Sequence, residues 1–142
     1  MNHFNELGVV HWDVINEMID QGPNNHTFYM DQSGNRNIRS EIYKYVKSNY
    51  PNNQFYVNDY GVITNNQNRF HLYQELIRDL IADGAPIDGI GLQSHVDGKN
   101  NFFKTLNETL CLGHQSIDWN LIKKRIETLW EEFQLPIWIT ES

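Results

Sequence analysis

Cysteine is nearly missing: Cys111 stands alone, which excludes a disulfide framework within the chain and any cysteine-based zinc site, and leaves the redox compartment open. Basic charge is also scarce. Eleven Lys and Arg face 18 Asp and Glu, a formal charge of -7 and a sequence pI near 5.2. The cations are scattered singly, which argues against nucleic acid as a partner. No apolar run approaches the roughly 18 residues of a membrane span. The opening MNHFNELGVV lacks the basic start and apolar stretch of a signal peptide. Six histidines are present, yet none forms a His-x-x-x-His pair or a His/Asp/Glu cluster at ligand spacing, so no metal and no cofactor is assigned. What remains is polar, with mean hydropathy -0.60, but 13% aromatic with four Trp, enough to argue for a core and against disorder.

The 142 residues repeat one order: apolar run, polar cluster, loop, amphipathic stretch, then proline. This is βα alternation. The runs at 8–16, 54–59, 89–93 and 136–140 are near-continuous, as in strands of a parallel sheet buried on both faces. Between them, Ile38, Ile42, Tyr45 and Val46 recur at helical spacing, as do Phe70, Tyr73, Ile77 and Leu80, and Ile122, Ile126, Leu129, Trp130 and Phe133. Pro51, Pro86 and Pro136 separate helix from strand, Gly84 suits a helix C-cap, and Asp118 or Ser116 suits the N-cap of the last helix. Residues 96–117 are long for a connection. Phe102, Phe103, Leu106 and Leu110 suggest an inserted surface element with a short helix. One domain over 1–142 is the simplest reading. The fold class is α/β.

Every run ends in polar groups: Asn16 and Glu17, Asn58 and Asp59, Gln93 and His95, and Glu141. The C-terminal edge of a parallel sheet is where catalytic residues collect, because the strands fix position and the loops supply shape. A cap or turn explains any one cluster; four in succession point to a site. Two glutamates from different strands facing one cleft suit glycosidic cleavage, one protonating the leaving oxygen and the other attacking the anomeric carbon or activating water. Glu17 and Glu141 form that pair. Asn16 offers an amide to a sugar hydroxyl. His95 either bonds a carboxylate or is a satisfied buried histidine. All four tryptophans lie in a strand or on an apolar helix face, favouring core packing over a sugar-stacking platform.

WDVINE (12–17), VNDY (57–60), GLQSH (91–95) and WITES (138–142) resemble, in this order, the fourth to seventh strand motifs of glycoside hydrolase family 10. The resemblance covers nearly the whole chain. It implies a partial (βα)8 TIM barrel of about four strands and, for the whole enzyme, endo-β-1,4-xylanase activity with retention of anomeric configuration on xylan or a related β-glycan. Carried over to this chain, it implies that Glu17 is the acid/base and Glu141 the nucleophile. Asn16 would contact the 2-hydroxyl, His95 would bond Glu141, and Gln93 would line the same subsite. Asn58 and Asp59 would be supporting polar groups, with Tyr60 on the aglycone side. In a retaining enzyme the two carboxyl groups lie about 5 to 5.5 Å apart, close enough that one, here Glu17, keeps its proton near neutrality.

The pattern departs at Ile15 for valine, Gly61 for asparagine and Ser142 for leucine. A complete barrel needs about 250 residues, so strands one to three and eight, and the glycone-side residues they bring, are expected to lie outside this chain. It then reads as a fragment, or a truncated gene product, of a longer secreted enzyme, inactive and poorly stable alone. The competing readings are a non-catalytic carbohydrate-binding remnant and a related barrel hydrolase of other specificity. A dimer completing a pseudo-barrel is disfavoured, because two copies would duplicate Glu17 and Glu141 without supplying glycone residues. The sequons at Asn25 and Asn107 carry little weight in so Asn-rich a chain, and Glu127, Glu131 and Glu132 read as a solvated face.

Overall fold

The computed structural model describes residues 1–19, 32–63, 67–95 and 118–141. Along the chain run α1 (Asn2–Asn5), β1 (His11–Asn16), α2 (Ile38–Asn49), β2 (Gln54–Asp59), α3 (Gln67–Ala82), β3 (Gly89–Gln93), α4 (Trp119–Phe133) and β4 (Ile137–Glu141). The expected insertion at 96–117, both sequons, Ser116 and Ser142 lie outside the described residues.

Local chemistry explains the helix limits. The Asp118 carboxylate accepts from the backbone N–H of Asn120 and of Leu121, both at 3.1 Å, and so caps α4. Past α3 the chain reverses at Gly84 in the left-handed region (φ 76°), where Gly84 N–H reaches the Ile81 carbonyl at 2.9 Å and Ala85 N–H the Leu80 carbonyl at 2.8 Å. On α2 the apolar stripe is rotated from its expected place. Tyr43 is fully buried, its hydroxyl donating to the Tyr56 carbonyl at 3.0 Å, while Tyr45 is 69% exposed.

All three strand pairs are parallel and the order is β1-β2-β3-β4. Alternation gives the sheet two faces. Phe55, Val57, Ile90 and Leu92 point to the helices and, with Tyr43, Phe70, Tyr73, Ile77, Leu80 and Leu129, make the core. The Tyr73 hydroxyl bridges sheet and helix, lying 2.8 Å from the Val57 carbonyl and 2.9 Å from that of Gly91. The opposite, inner face carries His11, Asp13, Tyr56, Asn58, Trp138 and Thr140 beside Gly89 and Gly91. The ring centroids of His11 and Trp138, from strands three spacings of about 4.8 Å apart, are only 4.4 Å from each other, so the sheet is curled toward this face. The glycines make room: a Cβ on Gly89 would lie 2.2 Å from the Tyr56 ring.

Several expectations need correction. β1 begins at His11 rather than residue 8, and β4 runs one residue later than expected, through Glu141. These two edge strands are largely exposed, unlike the buried β2 and β3, because each has one neighbour in the sheet. Trp119, Trp130 and Trp138 are 68%, 50% and 44% exposed, the first two because α4 turns Leu129 and Arg125 inward; only Trp12 packs against the core. Glu132 is not a purely solvated group, since it accepts from Gln74 at 2.6 Å and Arg78 at 2.5 Å, tying α4 to α3.

Candidate active site

Both candidate glutamates stand where regular strand pairing breaks. The β1–β2 register shifts between Asp13 and Asn16, and the β3–β4 register shifts between Leu92 and Gln93. A bulge of this kind re-aims a side chain at the end of a strand. Glu17 follows the first shift with φ 55°, a left-handed conformation costly for a residue bearing a Cβ, and its N–H is held by the Asn58 carbonyl at 2.9 Å. The Gln93 amide donates to Glu17 Oε1 at 3.0 Å and to Asn16 Oδ1 at 3.2 Å. Gln93 is itself buried, so both its amide hydrogens serve the β1 edge.

Glu141 closes β4 beside Gln93. Its Oε2 lies 3.0 Å from His95 Nε2, and its backbone carbonyl accepts from Ser94 N–H at 2.9 Å and Ser94 Oγ at 2.6 Å. The side chains of His95 and Glu141 are 54% and 46% exposed, so His95 is not a satisfied core histidine but a group bonded to a carboxylate at the open edge.

Beneath the glutamates lies a polar layer. Asn58 Nδ2 donates to Asn16 Oδ1 at 3.1 Å, and Thr140 Oγ1 donates to Asn58 Oδ1 at 2.7 Å. Asp13 joins it through a side-chain hydrogen bond with Asn58. Burial pushes the Asp13 carboxyl up to about 6, against the lowering effect of Asn58, and the charges of Asp59, Glu141 and Glu17 raise it further. Asp13 thus senses the charge of both glutamates. Sequence reasoning passed over Asp13 and Thr140 because both sit inside apolar runs; inward parity with Asn58 was the available signal.

Asp59 is fully buried and anchors the loops. It accepts from Ile19 N–H at 2.8 Å, just beyond Glu17, from Tyr60 N–H at 2.9 Å, and from the Arg69 guanidinium. Arg69, also missed in the sequence, lies 3.7 Å from the centre of the Tyr60 ring and so braces that half-buried side chain. Gly61 has φ 65°, a conformation that glycine and asparagine tolerate best, which accounts for glycine replacing asparagine there. Among the described residues no group of three His, Cys, Asp or Glu is placed to hold a metal, and no helix is long and apolar enough to cross a membrane. The arrangement is one strand-end edge with two carboxylates, one beside an amide donor and one beside an imidazole, which is equipped for proton transfer and nucleophilic attack at a neutral polar ligand.

Comparison with known proteins adds the following. The family model for glycosyl hydrolase family 10 matches residues 1–117. Endo-beta-1,4-xylanase Xyn10C of Cellvibrio japonicus is 34% identical over 104 residues, 68% of this chain and 17% of that protein. Exoglucanase XynX of Acetivibrio thermocellus is 27% identical over 93 residues, 66% of this chain and 8% of that protein. Among solved structures, TsXylA, described as an intracellular xylanase from Thermoanaerobacterium saccharolyticum, matches with a TM-score of 0.73 at 25% identity, over 99% of this chain and 39% of that one. The chain spans about two fifths of that solved chain, and its four strands and helices form part of a (βα)8 barrel.

Proposed function

The chain belongs to glycosyl hydrolase family 10, and on that premise we propose that the longer polypeptide containing it cleaves internal β-1,4-xylosidic bonds of xylan with retention of configuration. Glu17 protonates the leaving oxygen and then deprotonates water; Glu141 attacks the anomeric carbon and forms the glycosyl-enzyme. Asn16 addresses the 2-hydroxyl of the sugar cleaved, Tyr60 the aglycone side, and His95 holds the Glu141 carboxylate. Gln93 grips Glu17. The observation that carries this reading is that β1 and β4 each deliver one glutamate to the same edge of the sheet, where Gln93, paired with Glu141, donates to Glu17.

The test is a barrel completed by joining strands one to three and eight to this chain. It is expected to release reducing sugar from xylan, and Glu17→Ala and Glu141→Ala each to lose about 10²-fold or more of that rate. Undiminished turnover in either variant contradicts the assignment. The 142 residues alone are expected to hydrolyse little or nothing and to associate on size-exclusion, because the edges of β1 and β4 offer unpaired backbone groups. We propose that the parent acts outside the cell, where it would meet a polymer too large to cross a membrane, in contrast to TsXylA, which is described as intracellular; recovery of the parent from culture medium tests that. A second specificity is favoured by the relative named an exoglucanase: rates on a β-1,4-glucan that match those on xylan would assign the enzyme to that substrate instead.

A further inference from the structure

We propose that Asn58 is a positioning residue that fixes which end of the Asn16 amide faces the substrate, and that it does so by reaching over the bare backbone of Gly91 to lash the two glutamate-bearing strands together. The proposal rests on the reading of Glu17 and Glu141 given above. It follows from counting donors and acceptors.

The Asn16 Oδ1 accepts from Asn58 at 3.1 Å and from Gln93 at 3.2 Å, so both lone pairs of that carbonyl are engaged within the protein. The Asn16 Nδ2 is then the end presented to a ligand. A sugar hydroxyl meeting it must accept, which frees the hydroxyl proton for a neighbouring carboxylate. Were the amide inverted, two donors would face two donors, and the hydroxyl would meet an acceptor instead.

Asn58 is equally committed. Its Nδ2 serves Asn16 and also bonds the Asp13 carboxylate, and its Oδ1 receives Thr140 Oγ1 at 2.7 Å, on the residue before Glu141, while its backbone carbonyl receives the N–H of Glu17 at 2.9 Å. One residue of β2 therefore holds β1 by backbone and side chain, and β4 by side chain. The second contact crosses β3, and a Cβ on Gly91 would lie 2.6 Å from Asn58 Oδ1 and 3.0 Å from its Cγ. Only glycine leaves that path open.

The experiment compares kcat/KM of the completed barrel on an aryl β-xylobioside and on the same compound lacking the 2-hydroxyl of the sugar cleaved. The ratio of the two reports the contacts of that hydroxyl, the Asn16 amide among them, and its change from parent to variant isolates what Asn58 contributes. In Asn58→Ala that ratio is expected to fall at least about tenfold toward unity. Thr140→Val, which keeps shape and removes only the outer bond, is expected to move it the same way by a few-fold with an unchanged circular dichroism spectrum. Equal loss on both substrates in Asn58→Ala, or an unmoved ratio in folded Thr140→Val, overturns the proposal and gives Asn58 a purely structural role. A barrel with parent residues that cleaves neither substrate overturns the glycosidase reading and this one with it, whereas brisk cleavage with an indifferent ratio removes this one alone.

Discussion

The middle of the sheet and its flanks are built to opposite rules. β2 and β3 are almost wholly buried, pair without interruption, and carry the polar residues Asn58, Asp59 and Gln93 in sealed positions. β1 and β4 are exposed and each is offset by a register shift, yet they bear the two candidate catalytic carboxylates. The contrast teaches a division of labour. Reactive groups must meet solvent and substrate, so their placement cannot come from their own burial; it is supplied by the rigid strands between them. Asn58 and Gln93 hold β1, Asn58 also holds β4, and Asp59 pins the turn after Glu17.

The contrast breaks most severely at Asp59. Asp59→Ala removes the counter-charge of the buried Arg69 guanidinium, which keeps its bond to the Tyr60 carbonyl, and takes the acceptor from the Ile19 and Tyr60 N–H groups; it is expected to cost about 3–5 kcal/mol, seen as loss of the cooperative thermal transition. Equivalent removal of the exposed Lys123–Glu127 pair on α4, 3.6 Å apart, is expected to leave the melting curve in place. Next comes Gly89→Ala, whose Cβ meets the Tyr56 ring from the inner face, with an expected cost of about 1–3 kcal/mol and a disturbed aromatic circular dichroism signal from the His11–Tyr56–Trp138 cluster.

The smallest effect belongs to the flank. In the folded chain the Asp13 carboxyl keeps its proton to about pH 6, against an ordinary value of 3.8. Folding therefore takes up a proton between those values, and stability is fullest below the window and declines as pH rises through it. Asp13→Asn is expected to be flat across this range and more stable than the parent at pH 7 by less than about 1 kcal/mol, the figure being reduced for the solvent access of this strand. A parent whose melting temperature rises between pH 4 and 6, with no such rise in Asp13→Asn, would reverse the sign and contradict the raised Asp13 value.

The same contrast decides how much was legible in the sequence. β2 and β3 were placed to the residue, because strands buried on both faces write unbroken apolar runs; the turn at Gly84 was readable, and the N-cap of α4 was narrowed to Asp118 or Ser116, of which Asp118 makes the bonds. The flanks were less legible. Register shifts and the left-handed Glu17 leave no mark in composition, and an edge strand of a curled sheet looks in sequence like a central one. That is why Trp138 was expected in the core and Asp13 was overlooked. The candidate glutamates were singled out because four strand ends in succession carry polar clusters, a pattern the order of the four motifs then sharpened. The Asp59–Arg69 pair joins residues ten apart in sequence, one at the end of β2 and one in α3, a spacing that no helical or strand period announces.

The most direct test of the account uses the completed barrel, an aryl β-xylobioside with a good leaving group, and azide as an added nucleophile. If Glu141 forms the covalent bond, Glu141→Ala with azide gives the α-glycosyl azide, because a single displacement inverts the anomeric carbon; Glu17→Ala gives the β-glycosyl azide, because azide then intercepts the glycosyl-enzyme. The same anomer from both variants, or no azide product from either, would contradict the division of roles between β1 and β4.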